Sequence, residues 1–294
     1  MKLEADYFLI CTGERPVTEL PGVPGLNFAM TSDELFKIKS RPNSVLVLGN
    51  GYVAMEVASL MQGLGVNTKI YHRSRFLSSF DEEMRKELIQ NLSAEGAILR
   101  EDLDSIEITH SKEHKSDINS GKSGNKISLD GEYTVCSSFK SGEKFSEEFD
   151  LVINALARKT DLRFLDNLQG ELKINSRQRI VGGYDGMMEK SSVKNIFAAG
   201  DCLEHSPRNE PGAAIGGRRV AQYIKSEIDK DSQKLSQLAS FRFKNTPYCL
   251  FTCPEIAGVG LTEDQAKVAY PENQFRSIRL KKTSYLEKLI GLNP

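Results

Sequence analysis

Ser44-Val45-Leu46-Val47-Leu48-Gly49-Asn50-Gly51-Tyr52-Val53-Ala54-Met55-Glu56 is the stretch that decides the fold. An unbroken apolar run enters G-x-G-x-x-A and then a helical pattern, the order of a buried strand, a tight turn and a helix start. Gly49 permits the turn, Gly51 lets backbone approach a pyrophosphate, and Ala54 lets helix and strand pack closely. The free N–H groups at the helix start then face an anion. The expectation is a dinucleotide site; the alternative is a tight strand-to-helix turn that holds nothing.

Working outward, the strand Thr68 to Tyr71 ends about twenty residues after the fingerprint, where an NAD-specific site places a carboxylate for the ribose 2′-hydroxyl. Here stands His72-Arg73-Ser74-Arg75. Two guanidiniums supply donors for a 2′-phosphate, so NADPH is expected over NADH; the alternative is a solvated basic loop. Three more apolar runs, Tyr7 to Cys11, Leu151 to Leu156 and Ile196 to Ala199, read as buried strands. Helical patterns alternate with them at Tyr52 to Leu64, Glu82 to Glu95, Ala213 to Ile228 and Glu263 to Val268, the last opened by a Thr262/Gln265 capping box. The alternation means an α/β protein with parallel sheets. Between Ile98 and Asp150 short alternating runs at Ser105 to Thr109, Lys126 to Leu129 and Tyr133 to Ser137, joined by turns such as Asp130-Gly131 and Ser141-Gly142, read as an antiparallel meander. Ser111 to Asn125, rich in Ser, Lys, Gly and Asn, reads as a mobile surface loop.

Composition bounds the function. The 294 residues are 39% apolar, enough for two ordinary domains or one large one, which excludes a disordered or fibrous chain. Lys plus Arg number 39 against 40 Asp plus Glu, a net charge of −1, so no global field recruits nucleic acid or an anionic membrane. No apolar run approaches the roughly 20 residues of a membrane span, and the polar start is unlike a signal peptide; the chain reads as soluble and cytoplasmic. Five cysteines, Cys11, Cys136, Cys202, Cys249 and Cys253, form no C-x-x-C pair and no metal-ligand pattern, which suits a reducing compartment. Cys249 and Cys253, in a strand-like stretch, read as packing residues.

Four segments, in order, resemble motifs of the pyridine nucleotide-disulfide oxidoreductases, the FAD flavoproteins that include glutathione, trypanothione and high-molecular-weight thioredoxin reductases and lipoamide dehydrogenase. Ala5-Asp6-Tyr7-Phe8-Leu9-Ile10-Cys11-Thr12-Gly13-Glu14-Arg15-Pro16 resembles the "ATG" segment, and Gly49 to Glu56 the GxGYIAxE segment. Phe149 to Arg158 resembles the return strand with its GR signature, and Ile196 to Asp201 the YAxGD flavin motif. Glu210-Pro211-Gly212-Ala213-Ala214 is similar to the TPVAI helix start, and Phe243 to Ala266 to the opening of the dimerisation domain.

The resemblance implies an NAD(P)-binding Rossmann-like domain inserted in part of an FAD-binding Rossmann-like domain, followed by the start of an α+β dimerisation domain. The implied boundaries are 1–22 (a remnant strand and linker), 23–153 (the NAD(P) domain with its meander), 154–240 (the rest of the FAD domain) and 241–294 (a truncated dimerisation domain). Tyr52 matches the tyrosine that lids the flavin and Glu56 the glutamate beside the nicotinamide. Arg73 and Arg75 fall in the 2′-phosphate segment, with Ser78 where a second arginine is usual. Thr12, Gly13, Arg158, Gly200, Asp201 and Ala213 match positions around the flavin, Asp201 as the partner of the ribityl chain. Departures are Glu210 for a threonine, Ala157 for a glycine and Thr160-Asp161 for Pro-Asn.

The resemblance also implies an FAD-dependent transfer from NADPH to a small-molecule or small-protein disulfide such as glutathione or thioredoxin, a role in cell redox homeostasis, and a homodimer. The redox cysteine pair, the first flavin βαβ unit and the acid-base His-Glu dyad of the family are not matched, so the chain is expected to be incomplete. His205-Ser206-Pro207-Arg208-Asn209-Glu210 has the dyad's spacing but reads as a surface loop. Alternatives are a non-catalytic NAD(P)-binding remnant and a lipoamide dehydrogenase-like or NADH oxidase-like flavoprotein.

Overall fold

A computed structural model describes residues 4–110, 133–168, 170–240, 243, 245–271 and 274–280. The expected loop Ser111 to Asn125, the strand Lys126 to Leu129 and the turn at Asp130-Gly131 lie outside the described residues.

The chain opens with β1 (Phe8–Ile10), β2 (Arg15–Pro16) and β3 (Met30–Thr31). The deciding stretch then forms β4 (Ser44–Leu48) and α1 (Tyr52–Gly63), followed by β5 (Asn67–Tyr71), α2 (Glu82–Ala94) and β6 (Ile98–Arg100). A meander of β7 (Leu103–His110), β8 (Tyr133–Phe139) and β9 (Lys144–Phe149) leads into β10 (Leu151–Asn154). A five-stranded sheet with the order β3-β10-β4-β5-β6, parallel throughout, forms the centre of this unit.

Strand β4 is apolar without a break because both faces of the sheet are covered. Val45 and Val47 face α1 and α2, packing with Met55, Ala58, Leu88 and Leu92. Leu46 and Leu48 face the meander, packing with Ile106, Ile108, Val135 and Phe139. The meander shows the period-two signature of a one-sided sheet: Ile106 and Ile108 are buried while Ser105 and Glu107 are not. Gly25 lets the segment before β3 dock on it, since a Cβ there would lie 1.8 Å from the Ile108 carbonyl oxygen.

A second unit is built on β1 and β12 (Ile196–Ala198), which pair in parallel with Phe8 opposite Ile196 and Ile10 opposite Ala198. Ile10, Ile196 and Ala198 pack with Ile180, Cys202 and Leu203 on one side. Phe197 points the other way, to Val220 and Tyr223 of α3 (Glu210–Ile228) and Leu238 of α4 (Ser232–Ser240). Between the units, β2 pairs antiparallel with β11 (Arg158–Lys159), and Asn154 Nδ2 donates to the Val17 carbonyl at 2.8 Å. A last pair, β13 (Tyr248–Leu250) and β14 (Ile256–Gly258), precedes α5 (Glu263–Ala269), whose Thr262/Gln265 capping box is formed.

Four details differ from the sequence expectation. Helix α3 starts at Glu210, three residues before Ala213, because the Asn209 side chain caps the Gly212 N–H at 2.8 Å and Pro211 lies in the first turn, where its missing N–H costs nothing. Strand β10 stops at Asn154, whose side chain bonds Val17 and the Leu156 N–H. Helix α4 and the polar strand β9 were not foreseen. Cys249 and Cys253 are exposed, not packed; of the five cysteines only Cys202 is buried.

The second unit is held by a buried ion pair. Glu189 is fully buried, and Arg219, 6% exposed, donates to it at 2.8 and 3.3 Å and to the Leu238 carbonyl at 2.7 Å. Truncating one partner leaves the other charge desolvated and uncompensated. Glu189→Ala is therefore expected to lose about 3–5 kcal/mol in denaturant unfolding, and a loss within about 0.5 kcal/mol would contradict this assignment.

Candidate functional site

The mouth of the first unit is where β4 turns into α1. At Gly49 (φ +149°) a Cβ would lie 2.4 Å from the Ala155 carbonyl oxygen and 3.1 Å from the Ala54 Cβ, so strand, helix and the end of β10 meet where no side chain fits. Gly51 occupies the N-cap of α1 with open space where its side chain would be. It offers no side-chain acceptor, so the first-turn N–H groups keep their donor capacity for a ligand. Asn50 fastens the neighbouring loop: its Nδ2 donates to Ser74 Oγ at 3.2 Å and to the Arg75 carbonyl at 3.1 Å.

That loop carries Arg73 and Arg75, both exposed. Arg73 donates to the Gly22 carbonyl at 3.3 Å, and Arg75 pairs with Glu82. The Glu82 carboxyl is held down to about 2, first by its bond to Arg85. Burial pushes the His72 imidazole below its ordinary range. Both arginines thus flank the glycine turn, with Arg75 already engaged by a carboxylate.

The second unit presents the turn Gly200–Cys202 at the end of β12. Gly200 takes φ +76°, and a Cβ on it would touch the Ala213 Cβ at 3.3 Å, so the first turn of α3 packs over the Asp201 turn. Asp201 is half-buried, and its carboxylate has no hydrogen-bond partner among the described residues. Thr12 and Gly13 follow β1 at the same end of this sheet, Gly13 at φ +62°. Glu210 is exposed, so its carboxylate meets solvent. His205 is exposed in the loop beyond Asp201.

The two mouths meet at Tyr52. Burial raises its phenol above the ordinary range, and the negative fields of Asp201 and Glu56 raise it further, with Glu14 adding to them and Arg158 opposing. The charges of Glu56, Asp201 and Arg158 are thus all felt at Tyr52, while Arg73 and Arg75 stand along the glycine turn. Arg158 is a strut between the units: its guanidinium donates to Asp33 Oδ1 and to the Glu14 carbonyl, both at 2.7 Å. Glu56 accepts the Phe251 N–H at 2.9 Å, and Ser59, one turn further along α1, accepts the Cys253 N–H at 2.8 Å. The segment after β13 is thereby tied to α1.

Sequence reasoning passed over Glu14. Its side chain is 3% exposed and accepts from Arg179 at 3.0 and 3.1 Å and from Arg208 at 3.1 Å. Burial pushes this carboxyl up and the Arg179 guanidinium pulls it back down. The only local signal is a charged residue in a turn between two strands, which ordinarily means exposure.

Gly49 and Gly51 separate packing from binding. Gly49→Ala is expected to cost about 1–3 kcal/mol of stability through overpacking. Gly51→Ala should stay within about 0.5 kcal/mol and yet weaken tenfold or more any dinucleotide seated on the glycine turn, as its methyl enters the open space there. Denaturant unfolding and fluorescence titration with NADPH read the two effects; unchanged NADPH binding in Gly51→Ala would contradict the placement.

Residues 1–217 match the family model described as pyridine nucleotide-disulphide oxidoreductase. Solved structures of similar fold include a Cu(II) complex of a cysteine-to-serine mutant of RclA, the HOCl-induced flavoprotein disulfide reductase from Escherichia coli. It aligns over 90% of this chain at 20% identity with a TM-score of 0.67. A Cu(II) complex of RclA without that mutation gives 89%, 20% and 0.66, and a further RclA structure 89%, 20% and 0.64. Each alignment takes in 53% of the RclA chain, so this chain spans about half the length of these relatives. With the family model covering well over half of the residues, on a parallel-sheet α/β fold, the chain belongs to the pyridine nucleotide-disulphide oxidoreductase family.

Proposed function

We propose that this chain supplies the nicotinamide half and part of the flavin cradle of an FAD-dependent NADPH disulfide reductase acting in redox homeostasis. The observation that carries the reading is the glycine turn at Gly49 and Gly51, which leaves the first-turn N–H groups of α1 without a side-chain cap, together with the Asp201 turn packed under the start of α3, whose charge is felt at Tyr52. The residues fit the two groups: a turn at Gly49 and Gly51 where side chains are excluded or absent, and a half-buried carboxylate at Asp201 with hydrogen-bonding capacity to spare. When bound, FAD would take a hydride from NADPH and pass two electrons to a disulfide.

In this reading the N–H groups from Gly51 to Ala54 bind the pyrophosphate, and Arg73 and Arg75 bind the 2′-phosphate. Tyr52 covers the flavin side of the junction as a neutral lid, and burial with the nearby carboxylates raises its pKa further above the ordinary phenol range. Glu56 orients the nicotinamide, Asp201 binds the ribityl hydroxyls, and Thr12, Gly13, Arg158, Gly200 and the α3 start at Ala213 shape the wall around the ring. The boundaries near residues 22, 153 and 240, a disulfide substrate of the glutathione or thioredoxin kind, a homodimer and a cytoplasmic setting belong to the same proposal. No helix among the described residues is long and apolar enough to cross a membrane.

One observation favours a second reading, an NADH-using relative of the lipoamide dehydrogenase or NADH oxidase kind: Arg75 is already paired with Glu82. Dinucleotide dissociation constants of Arg73→Gln and Arg75→Gln separate the two. Loss of a charge-assisted hydrogen bond worth about 1.5–3 kcal/mol should weaken NADPH roughly 10- to 150-fold in each variant and leave NADH within about twofold. Equal binding of the two nucleotides by the unmodified protein, or equal loss of both in the variants, would favour the NADH reading.

A further inference from the structure

Glu14 is a buried carboxylate that no part of the nucleotide chemistry uses, yet two chain segments converge on one of its carboxylate oxygens and a third on its main-chain oxygen. Oε1 accepts from Nε and Nη2 of Arg179 and from Nη2 of Arg208. Arg179 precedes Ile180, which bridges both Ile174 and Leu203, so its guanidinium rides on the turn that flanks the loop after Asp201. Arg208 precedes Asn209, the cap of α3, whose first turn packs over Gly200. Arg158, from the strand pair between the units, holds the Glu14 main-chain oxygen. The charge of Glu14 is felt at Tyr52, and that of Asp201 at Glu14.

We propose that Glu14, through Arg179 and Arg208, is the positioning residue that fixes the flavin-facing wall formed by the Asp201 turn and the start of α3, and that sets the net charge behind it. The inference rests on the proposed function, since it assigns the wall to flavin. Within the trio of Glu14, Arg179 and Arg208, two guanidiniums against one carboxylate leave a surplus of one positive charge, with Arg158 and Asp201 adding fields of opposite sign from outside it. Arg179 is 9% exposed and cannot recover its solvation if the carboxylate goes. Arg208 is 44% exposed and can. A neutral residue at position 14 would double the surplus and free the loop that carries the α3 cap. Reduced flavin is richer in electrons than oxidised flavin, so positive charge behind the wall favours the reduced form.

Glu14→Gln and Arg208→Gln test this, read by FAD dissociation constant and by flavin midpoint potential in the purified protein. Glu14→Gln should weaken FAD roughly tenfold or more and move the potential to more positive values. Arg208→Gln, which removes a half-exposed cation, should fold as the parent does and move the potential to more negative values. If Glu14→Gln does not fold, the negative shift in Arg208→Gln carries the test. Potentials and affinities unchanged in both variants, or shifted in the same direction, would overturn the positioning role while leaving the proposed function standing. A parent protein that takes up no FAD would overturn both.

Discussion

Everything in the first unit depends on one steric constraint, the contact at Gly49. Strand β4 arrives with every side chain committed to one of two cores, and within two residues the chain must become a helix lying on the same sheet. The space is closed on one side by the Ala155 carbonyl and on the other by Ala54. Only a glycine with a positive φ passes through it, and a small residue at position 54 is the matching half of the fit. The consequence is functional: a helix start with uncapped N–H groups is fixed at the mouth of the sheet, aimed at the space where an anion would sit.

The second unit repeats the scheme with different residues. Gly200 and Ala213 approach as Gly49 and Ala54 do, so the Asp201 turn and the start of α3 are held as one piece. The buried Glu189–Arg219 pair locks α3 and α4 to the core behind it. A polar bridge joins the two mouths: Arg158 spans from Asp33 to the Glu14 main chain, and the Glu14 carboxylate in turn holds Arg179 and Arg208 of the second unit. Pairs of opposite charge at fixed geometry suit a junction that, in the proposed reading, keeps two ligand sites in register, because each bond is directional where apolar contact is not.

How much of this was legible in the sequence follows from how locally each feature is determined. Strand β4, its turn and α1 were legible because burial on both faces leaves a continuous apolar run and the turn demands glycine at set spacing. Strand β9 was not, because Lys144 to Ser146 are exposed and its pairing with β8 is decided by the partner. Helix α3 was read three residues short because its cap is Asn209, ahead of the apolar pattern. Cys249 and Cys253 were misread because a strand-like run suggests burial, whereas Cys249 lies in β13 of a two-stranded sheet and Cys253 in the turn after it, and both are exposed. Among the candidate site residues, the glycines, Tyr52 and Asp201 are picked out by motif order. Glu14 is not: its partners lie 165 and 194 positions away, and nothing in Gly13-Glu14-Arg15-Pro16 reports on them. Glu56 has a comparable hidden partner, the Phe251 N–H 195 positions on.

The central claim is that the glycine turn and the Asp201 turn serve one two-nucleotide site with Tyr52 between them. The most direct measurement is the absorbance of the purified protein supplied with FAD, followed near 450 nm during anaerobic titration with NADPH. The account predicts a bound flavin band that bleaches as NADPH is added. A protein that binds NADPH while its flavin stays oxidised, or that leaves FAD free in solution, would contradict it.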